Sequence, residues 1–303
     1  MACHQAPASR AEEAAETPGW RIAPETDLPS LFACLRQVGV TLVAAHRGGP
    51  ADGYPENAIE TFAHTLSFAP ALLEIDVSAS ADGVLYLLHD ERLERTTTGR
   101  GVAASLAWSE IKGLRLEDPN GEKTNFAPPR FDAALSWAKD RAILEVDIKP
   151  SASYSDVVKT IVDQHAENRV ILIAPSFGAA DKLERLLPEA MISAPIAAVS
   201  DFNRAVAEDI PANHVFAFST DASSAPRLFG VLREEGATTA IGTAGAEDSL
   251  DREIALSGEN DRYADLARDG ADIIATDRPI AAAAALAAAG RGAKAGLCGI
   301  SKD

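Results

Sequence analysis

Short apolar runs typical of β-strands alternate with helical patterns along most of this chain. The alternation begins near residue 41 and continues to about residue 280. Strands separated by helices predict a parallel sheet whose faces are covered by those helices. The candidate strands, in chain order, are TLVAAH, LLEIDV, VLYLLH, AILEVDI, RVILIA, MISAPIAA, HVFAFS, TTAIGT and DIIATD.

These nine runs are one more than a (β/α)8 barrel needs. We therefore expect an α/β fold of the (β/α)8 TIM-barrel type, with HVFAFS or TTAIGT as the surplus run. A doubly wound open sheet is the structural alternative. Only VSASADG separates Asp76 from Val84, which is too short for a helical crossover between parallel strands. The helix between strands 2 and 3 is therefore expected to be missing.

The length and apolar content of the chain favour one large domain. It has 303 residues, of which 47% are hydrophobic. We expect an N-terminal extension with a short helix at 1–38, the barrel at 39–290 and a C-terminal tail at 291–303 that frays. No tract of 18 apolar residues occurs in the sequence, so no transmembrane segment is expected.

The charge balance limits the possible partners of the protein. Asp and Glu together number 45 against 28 Lys and Arg, which gives a formal net charge of -17. A surface of this sign repels the phosphate backbone of nucleic acid and an anionic membrane. An anionic small-molecule substrate would need positive charge placed locally. The sequence does not indicate an oligomeric state.

The cysteines and the first residues bear on the cellular compartment. Cys3, Cys34 and Cys298 are odd in number and widely spaced, so they suggest neither a disulfide framework nor a zinc cluster. The opening MACHQAPASRAEEAAETPG has no hydrophobic secretory core. An Ala-Cys pair near the start suggests a lipid anchor at Cys3 after removal of a signal. A periplasmic or membrane-anchored location is therefore slightly favoured over a cytoplasmic one.

Acidic side chains alternate along two of the predicted strands. Because strand side chains point alternately to opposite faces, Glu74 and Asp76 share one face, and Glu145, Asp147 and Lys149 share one face of the second strand. In a barrel covered by helices these faces point inward, where unpaired carboxylates are costly. A hard divalent cation, Mg²⁺ or Ca²⁺, suits such oxygen ligands. The alternative is that both strands are half exposed and turn their charges toward water.

Two histidines end apolar strands. His46 follows TLVAA and His89 follows VLYLL, so a barrel would place both at the C-terminal rim where active sites form. Imidazoles exchange protons near neutral pH, and the pair can serve as general acid and base. Arg47 and Lys149 can bind a phosphate, or can instead neutralise the nearby carboxylates. Motifs of P-loop, zinc-protease, serine-hydrolase and dinucleotide-binding proteins are absent from the sequence.

These residues lie in motifs that together resemble the glycerophosphodiester phosphodiesterase family of phospholipase C-like barrels. The resemblance covers roughly residues 41 to 280. The motifs are AHRG at 45–48, PEN at 55–57, LEIDVSASADG at 73–83, HDERLERTTTGRG at 89–101, LEVDIK at 144–149, PSF at 175–177 and ATDRP at 275–279.

The resemblance implies a metal-dependent hydrolase of lipid and glycerol metabolism. It implies one divalent cation, Mg²⁺ or Ca²⁺, held by Glu74, Asp76 and Glu145. His46 and His89 would act as general acid and base. Arg47 and Lys149 would bind the substrate phosphate. A glycerol hydroxyl would attack phosphorus, the alcohol would leave protonated by one histidine, and water would open the cyclic product.

The sequence departs from the family on a late strand. Where many members carry Trp-Thr-Val-Asn, with the tryptophan lining the glycerol pocket, this chain has AIGTAG at 240–245. Two other functions therefore remain open. One is a phospholipase D-like lyase that releases the cyclic phosphate, and the other is a barrel that binds a phosphate ligand without turnover.

Overall fold

The structure, a computed structural model, describes residues 18–223, 225–245 and 248–303. Its strands are β1 (Trp20–Ile22), β2 (Leu42–Ala45), β3 (Ala71–Ala79), β4 (Leu85–Leu87), β5 (Leu144–Ile148), β6 (Val170–Ile173), β7 (Met191–Pro195), β8 (Val215–Ser219), β9 (Thr238–Gly242), β10 (Ile273–Thr276) and β11 (Ile300–Lys302). Strands β2, β3 and β5 to β10 pair in parallel, and β10 pairs with β2 to close a barrel. The expected eight-stranded parallel barrel is confirmed.

Helices lie before, between and after the barrel strands, and most of them cover the outside of the barrel. They are α1 (Leu28–Gln37), α2 (Ile59–Phe68), α3 (Trp108–Ile111), α4 (Phe131–Ala138), α5 (Tyr154–Asp163), α6 (Phe177–Leu186), α7 (Val199–Ala207), α8 (Ala225–Glu234), α9 (Leu250–Ser257), α10 (Arg262–Arg268) and α11 (Pro279–Ala288). Several begin where a side-chain oxygen accepts a backbone N–H, as Asp27 does for α1 and Ser153 for α5. None of the described helices is long and apolar enough to cross a membrane.

Strand periodicity divides the barrel residues into an outward and an inward set. On β2, Val43 belongs to the large core under the helices, whereas Leu42 and Ala44 belong to a separate inner cluster. Helix α1 contributes to this inner cluster, and the ring of Phe32 meets that of Phe216 edge-on at 6.1 Å. The lower half of the barrel is therefore a packed apolar floor beneath the polar side chains that follow on the same strands.

The surplus run is VLYLLH, and the expectation that HVFAFS or TTAIGT is surplus is wrong. Strand β4, from that run, pairs antiparallel with the end of β3, with Val77 opposite Leu87. The turn uses Gly83, whose φ of 80° favours glycine. A hairpin needs no crossover, which is why this connection lacks a helix. The next barrel strand is β5, and α4 precedes it.

The C-terminal tail is ordered, so the expectation that it frays is wrong. Strand β11 pairs antiparallel with β1, and Cys298 forms a disulfide with Cys34 of α1. The cysteines are separated by 264 residues in sequence, and only the meeting of the two chain ends brings them together. Residues 1–17, with the suggested lipid anchor at Cys3, lie outside the described residues. The domain boundaries stay predictions.

Candidate active site

A cavity of about 330 Å³ lies at the C-terminal end of the barrel strands. Its lining has two chemically different sides. The turn after β2 and the strands β3 and β5 contribute the ionisable side chains His46, Glu74, Glu145 and Asp147. The opposite side, from β6 to β10, is mostly apolar or small and includes Ile173, Ala174, Pro175, Ala194, Pro195, Phe218, Gly242, Ala244 and Ala275.

The register of β3 against β5 brings carboxylates together. Glu74 lies opposite Glu145, and Asp76 lies opposite Asp147. One oxygen from each of Glu74, Asp76 and Asp147 lies within 4.8 Å of the other two. Burial, followed by the charge of Asp76, raises the pKa of Glu74 well above its usual value. A divalent cation would offset this crowding of negative charge, so the three carboxylates fit a metal site.

Glu145, the third ligand expected from the sequence, is not part of this group of three. It lines the same cavity but precedes Asp147 by one inward-facing position on β5. Its carboxyl group is hydrogen bonded to Ser193 on β7. Burial raises the pKa of Glu145 to about 7, although the Ser193 hydrogen bond lowers it. Glu145 is therefore a buried acid beside the cluster.

Asp76 is held from two sides. Asn57 donates its side-chain amide to Asp76 Oδ2 at 2.6 Å and accepts the Asp76 backbone N–H at 2.9 Å. Lys149 Nζ lies 2.7 Å from Asp76 Oδ1 and 2.6 Å from Asp147 Oδ2. Burial lowers the pKa of Lys149, but the two carboxylates outweigh burial and raise it overall. Lys149, predicted to bind phosphate, is therefore a charged partner of two carboxylates in the cluster.

Arg47 lies in a tight turn directly after β2. Its φ is 52°, and its backbone N–H donates to Glu74 Oε2 at 2.6 Å. Gly48 follows with φ 84°, and a Cβ there would lie 2.3 Å from the Phe62 ring, which explains the glycine. The guanidinium donates to Glu56 at 3.0 and 3.2 Å. Its buried Nε makes no hydrogen bond among the described residues and lies 3.9 Å from Asp76 Oδ2.

His46 is oriented by an aspartate that sequence reasoning missed. Its Nδ1 lies 2.7 Å from Asp277 Oδ1, in the loop after β10. Although burial raises the pKa of Asp277, its hydrogen bond to His46 and the His46 charge hold the pKa below its usual range. The buried Asp251 in turn accepts the Asp277 backbone N–H at 2.7 Å and the Tyr263 hydroxyl at 2.6 Å. His46 Nε2 is left for proton transfer.

His89 has a similar arrangement in an adjoining cavity. It lines a space of about 180 Å³ together with Lys149, Ser78 and Ser151. Its Nδ1 lies 2.7 Å from Asp90 Oδ1. Hydrogen bonds from Arg95 hold the pKa of Asp90 far below its usual range. The Lys149–Asp147 ion pair joins this cavity to the one that His46 lines.

The remaining residues that sequence reasoning missed belong to motifs it had already noted. Asp90 and Arg95 are in HDERLERTTTGRG, Glu56 is in PEN, and Asp277 is in ATDRP. The available signal was a charged residue next to, or a few positions after, the end of a barrel strand. The sequence did not show which of these charged residues pair with one another, because they lie in loops that follow different strands.

Comparisons with known proteins agree with this geometry. Residues 46–191 match the model of the Glycerophosphoryl diester phosphodiesterase family. A glycerophosphodiester phosphodiesterase from Caldanaerobacter subterraneus subsp. tengcongensis is 30% identical over 162 residues, which are 50% of this chain and 65% of that protein. The chain thus spans slightly less than two thirds of the length of this curated relative.

Solved structures extend the similarity to nearly the whole chain. A glycerophosphoryl diester phosphodiesterase from Parabacteroides distasonis has a TM-score of 0.84 and 29% identity, covering 94% of this chain and 100% of that chain. An Oleispira antarctica phosphodiesterase, in complex with the product sn-glycerol-3-phosphate, shares the fold with a TM-score of 0.61 and 19% identity, covering 82% and 97% of the two chains. In sequence over residues 46–191, and in fold over nearly its whole length, this chain is similar to the glycerophosphoryl diester phosphodiesterase family.

Proposed function

We propose that this chain hydrolyses glycerophosphodiesters, or a related small alcohol phosphodiester, to a phosphomonoester and an alcohol. The observation that carries the proposal is the group of carboxylates from Glu74, Asp76 and Asp147 beside His46 at the mouth of the barrel. The similarity to this family supports it. The sn-glycerol-3-phosphate bound by the Oleispira antarctica phosphodiesterase is a phosphomonoester of the kind this reaction would release.

Glu74, Asp76 and Asp147 would hold one divalent cation, Mg²⁺ or Ca²⁺. Asp147 would take the place expected for Glu145, because its oxygen lies within 4.8 Å of those of Glu74 and Asp76. When bound, such a cation stabilises the charge that develops on the phosphate oxygens. Lys149 would keep the Asp76 and Asp147 carboxylates near each other while negative charge develops on the phosphate oxygens.

His46 and His89 would transfer the protons. Asp277 fixes the ring of His46, and Asp90 fixes the ring of His89, through Nδ1 in each case. One imidazole removes the proton from the attacking glycerol hydroxyl, whose oxygen bonds to phosphorus. The bond from phosphorus to the leaving alcohol breaks, and the other histidine, as imidazolium, protonates that alcohol. Water would then attack the phosphorus of the resulting cyclic phosphate, the ring oxygen would leave with a proton from a histidine, and the phosphomonoester would form.

Arg47 would bind the phosphate during this step. Its backbone is fixed by the hydrogen bond to Glu74 and its guanidinium by Glu56. Its Nε makes no hydrogen bond among the described residues and lies 3.9 Å from Asp76 Oδ2, so it keeps a donor N–H beside the carboxylate cluster. Donors that are already in place cost little free energy to reorganise when charge develops.

The decisive experiment measures turnover of a panel of glycerophosphodiesters by metal-stripped protein refilled with Mg²⁺ or Ca²⁺. We expect activity to be lost on stripping and restored by at least one cation. Asp147→Asn should remain inactive, whereas the control Asp163→Asn, on the exposed face of α5, should be restored like the wild type. Full turnover by stripped protein would refute the proposal. Phosphorus NMR of the products separates hydrolysis from release of a cyclic phosphate.

A further inference from the structure

Arg95 joins two loops that carry predicted active-site residues. It lies in the segment after β4, and its guanidinium makes two forked ion pairs with carboxylates. Nε and Nη2 donate to Asp90 at 2.6 and 2.8 Å. Nη1 and Nη2 donate to Glu56, both at 2.8 Å. One planar side chain therefore holds two acidic residues from different parts of the chain.

Each of these carboxylates also contacts a predicted active-site residue. Asp90 Oδ1 lies 2.7 Å from Nδ1 of His89. Glu56 accepts hydrogen bonds from Nη1 of Arg47. The result is a continuous series of contacts from His89 through Asp90, Arg95 and Glu56 to Arg47.

Other hydrogen bonds anchor the backbone of each loop, since the Arg47 N–H donates to Glu74 and the Leu93 N–H donates to the Gly101 carbonyl oxygen. Arg47 has a left-handed backbone conformation in a turn that follows β2, and His89 follows the short hairpin strand β4. Backbone ladders fix the strands but not these loop side chains. A forked guanidinium fixes direction as well as distance, which a lysine ammonium at the same place does not.

The solvent exposure of Arg95 limits how much its ion pairs contribute to the stability of the fold. Its side chain is 47% exposed, so its ion pairs add little to the free energy of unfolding. Glu56, by contrast, is only 11% exposed and lies between two arginines. The geometry that Arg95 imposes on Glu56 and Asp90 therefore matters more than its contribution to stability.

We infer that Arg95 is a positioning residue that aligns the proton-transferring His89 with the phosphate-binding Arg47. The inference rests on the proposed function for the roles of those two residues. Arg95 touches neither of them directly and acts through Asp90 on one side and Glu56 on the other. Misalignment of a reacting group by about 1 Å can cost roughly 10²-fold in rate.

The test is a set of variants whose kinetics separate the effect of Arg95 through Asp90 from its effect through Glu56. Arg95→Gln should lower kcat/KM by about tenfold or more, with both kcat and KM affected. Arg95→Lys keeps the charge but loses the forks, so it should preserve thermal stability without restoring kcat/KM. The control is Arg92→Gln, which removes an exposed arginine of the same loop that pairs with Glu94 and should leave activity unchanged.

Combined variants show whether Arg95 acts through its two partners. The effect of Arg95→Gln on kcat should disappear in an Asp90→Asn background, and its effect on KM should disappear in a Glu56→Gln background. Additive effects in both backgrounds would overturn the inference. So would an Arg95→Gln variant with the kinetics of Arg92→Gln.

Hydrogen exchange tests the same contact without turnover. Arg95→Gln should increase amide exchange in peptides covering 46–58 as well as in those covering 88–102, whereas Arg92→Gln should leave 46–58 unchanged. Unchanged exchange at 46–58 in Arg95→Gln would contradict the inference even if the enzyme is active. A wild type inactive on every glycerophosphodiester would defeat the proposed function instead, and exchange would still decide the role of Arg95.

Discussion

Asp277 Oδ1 lies 2.7 Å from Nδ1 of His46. The other Asp277 oxygen accepts the Gly245 backbone N–H at 3.0 Å, and the Asp277 backbone N–H donates to Asp251. Asp277 thus has a fixed position on the barrel rim, and this fixes the ring of His46. A carboxylate at Nδ1 also stabilises the imidazolium that forms when Nε2 takes a proton.

We expect Asp277→Asn to lower kcat by about 10²-fold or more, because the amide keeps the shape of the side chain but does not stabilise the imidazolium. Steady-state kinetics with a glycerophosphodiester measures the effect. Asp265→Asn, an exposed residue of α10, is the matched control and should behave as the wild type. Equal activity of the two variants would mean that His46 transfers no proton in the rate-limiting step.

The barrel and one half of the site could be predicted from the sequence. The alternation of apolar runs with helical patterns depends on local periodicity, which can be read directly from the sequence. The period of two placed Glu74 and Asp76 on one face of β3, where the structure has them. These features need no knowledge of which elements are neighbours.

The rest of the site, and the disulfide, depend on which residues are neighbours in the folded chain. Periodicity gave Glu145 and Asp147 the same face, but only packing across the barrel determines that Asp147 joins the cluster while Glu145 bonds to Ser193. In the same way, the pairing of Cys34 with Cys298 depends on the meeting of the two chain ends below the barrel. Local sequence contains no record of such contacts.

The choice between the two acids on β5 can be tested by metal binding. Asp147→Asn should weaken Mg²⁺ or Ca²⁺ binding by at least about tenfold, because it removes one of the three carboxylates of the cluster. Glu145→Gln should leave the affinity much closer to that of the wild type. Isothermal titration calorimetry measures both. The reverse order of affinities would restore Glu145 as the third ligand.

The disulfide should contribute measurably to stability. It links residues 264 positions apart and holds the tail against α1, so its removal in Cys34→Ser/Cys298→Ser should lower the free energy of unfolding by about 2–5 kcal/mol. Denaturant unfolding with and without a reductant checks this. Identical curves would show that the bond does not form.

Glu184 on α6 should make stability depend on pH. It is buried, its Oε2 has no partner among the described residues, and burial raises its pKa to about 7. Because its unfolded pKa is lower, the folded state binds the extra proton, and stability is lost as the pH rises from about 4.5 to about 7.

Glu184→Gln removes this titration. At pH 8 the variant should be more stable than the wild type by about 1 to 2 kcal/mol, and at pH 4 the difference should vanish. Thermal unfolding across this pH range provides the measurement, with the exposed Glu235→Gln as control. A constant difference between wild type and Glu184→Gln at all pH values would show that Glu184 does not titrate in this range.

The lining of the main cavity should disfavour substrates with an additional negative charge. Among its described lining residues His46 is the only basic side chain, while Glu74, Glu145 and Asp147 are acidic and the opposite wall is apolar. A carboxylate on the substrate, in addition to its phosphate, would meet these acids or the apolar wall without a partner, which costs free energy. Glycerophosphoserine and glycerophosphoethanolamine differ by one carboxylate and form a matched pair. We expect kcat/KM to be at least about tenfold lower for glycerophosphoserine, a difference of about 1.4 kcal/mol in the transition state. Equal values would mean that the alcohol of the substrate lies outside this cavity, in contact with solvent.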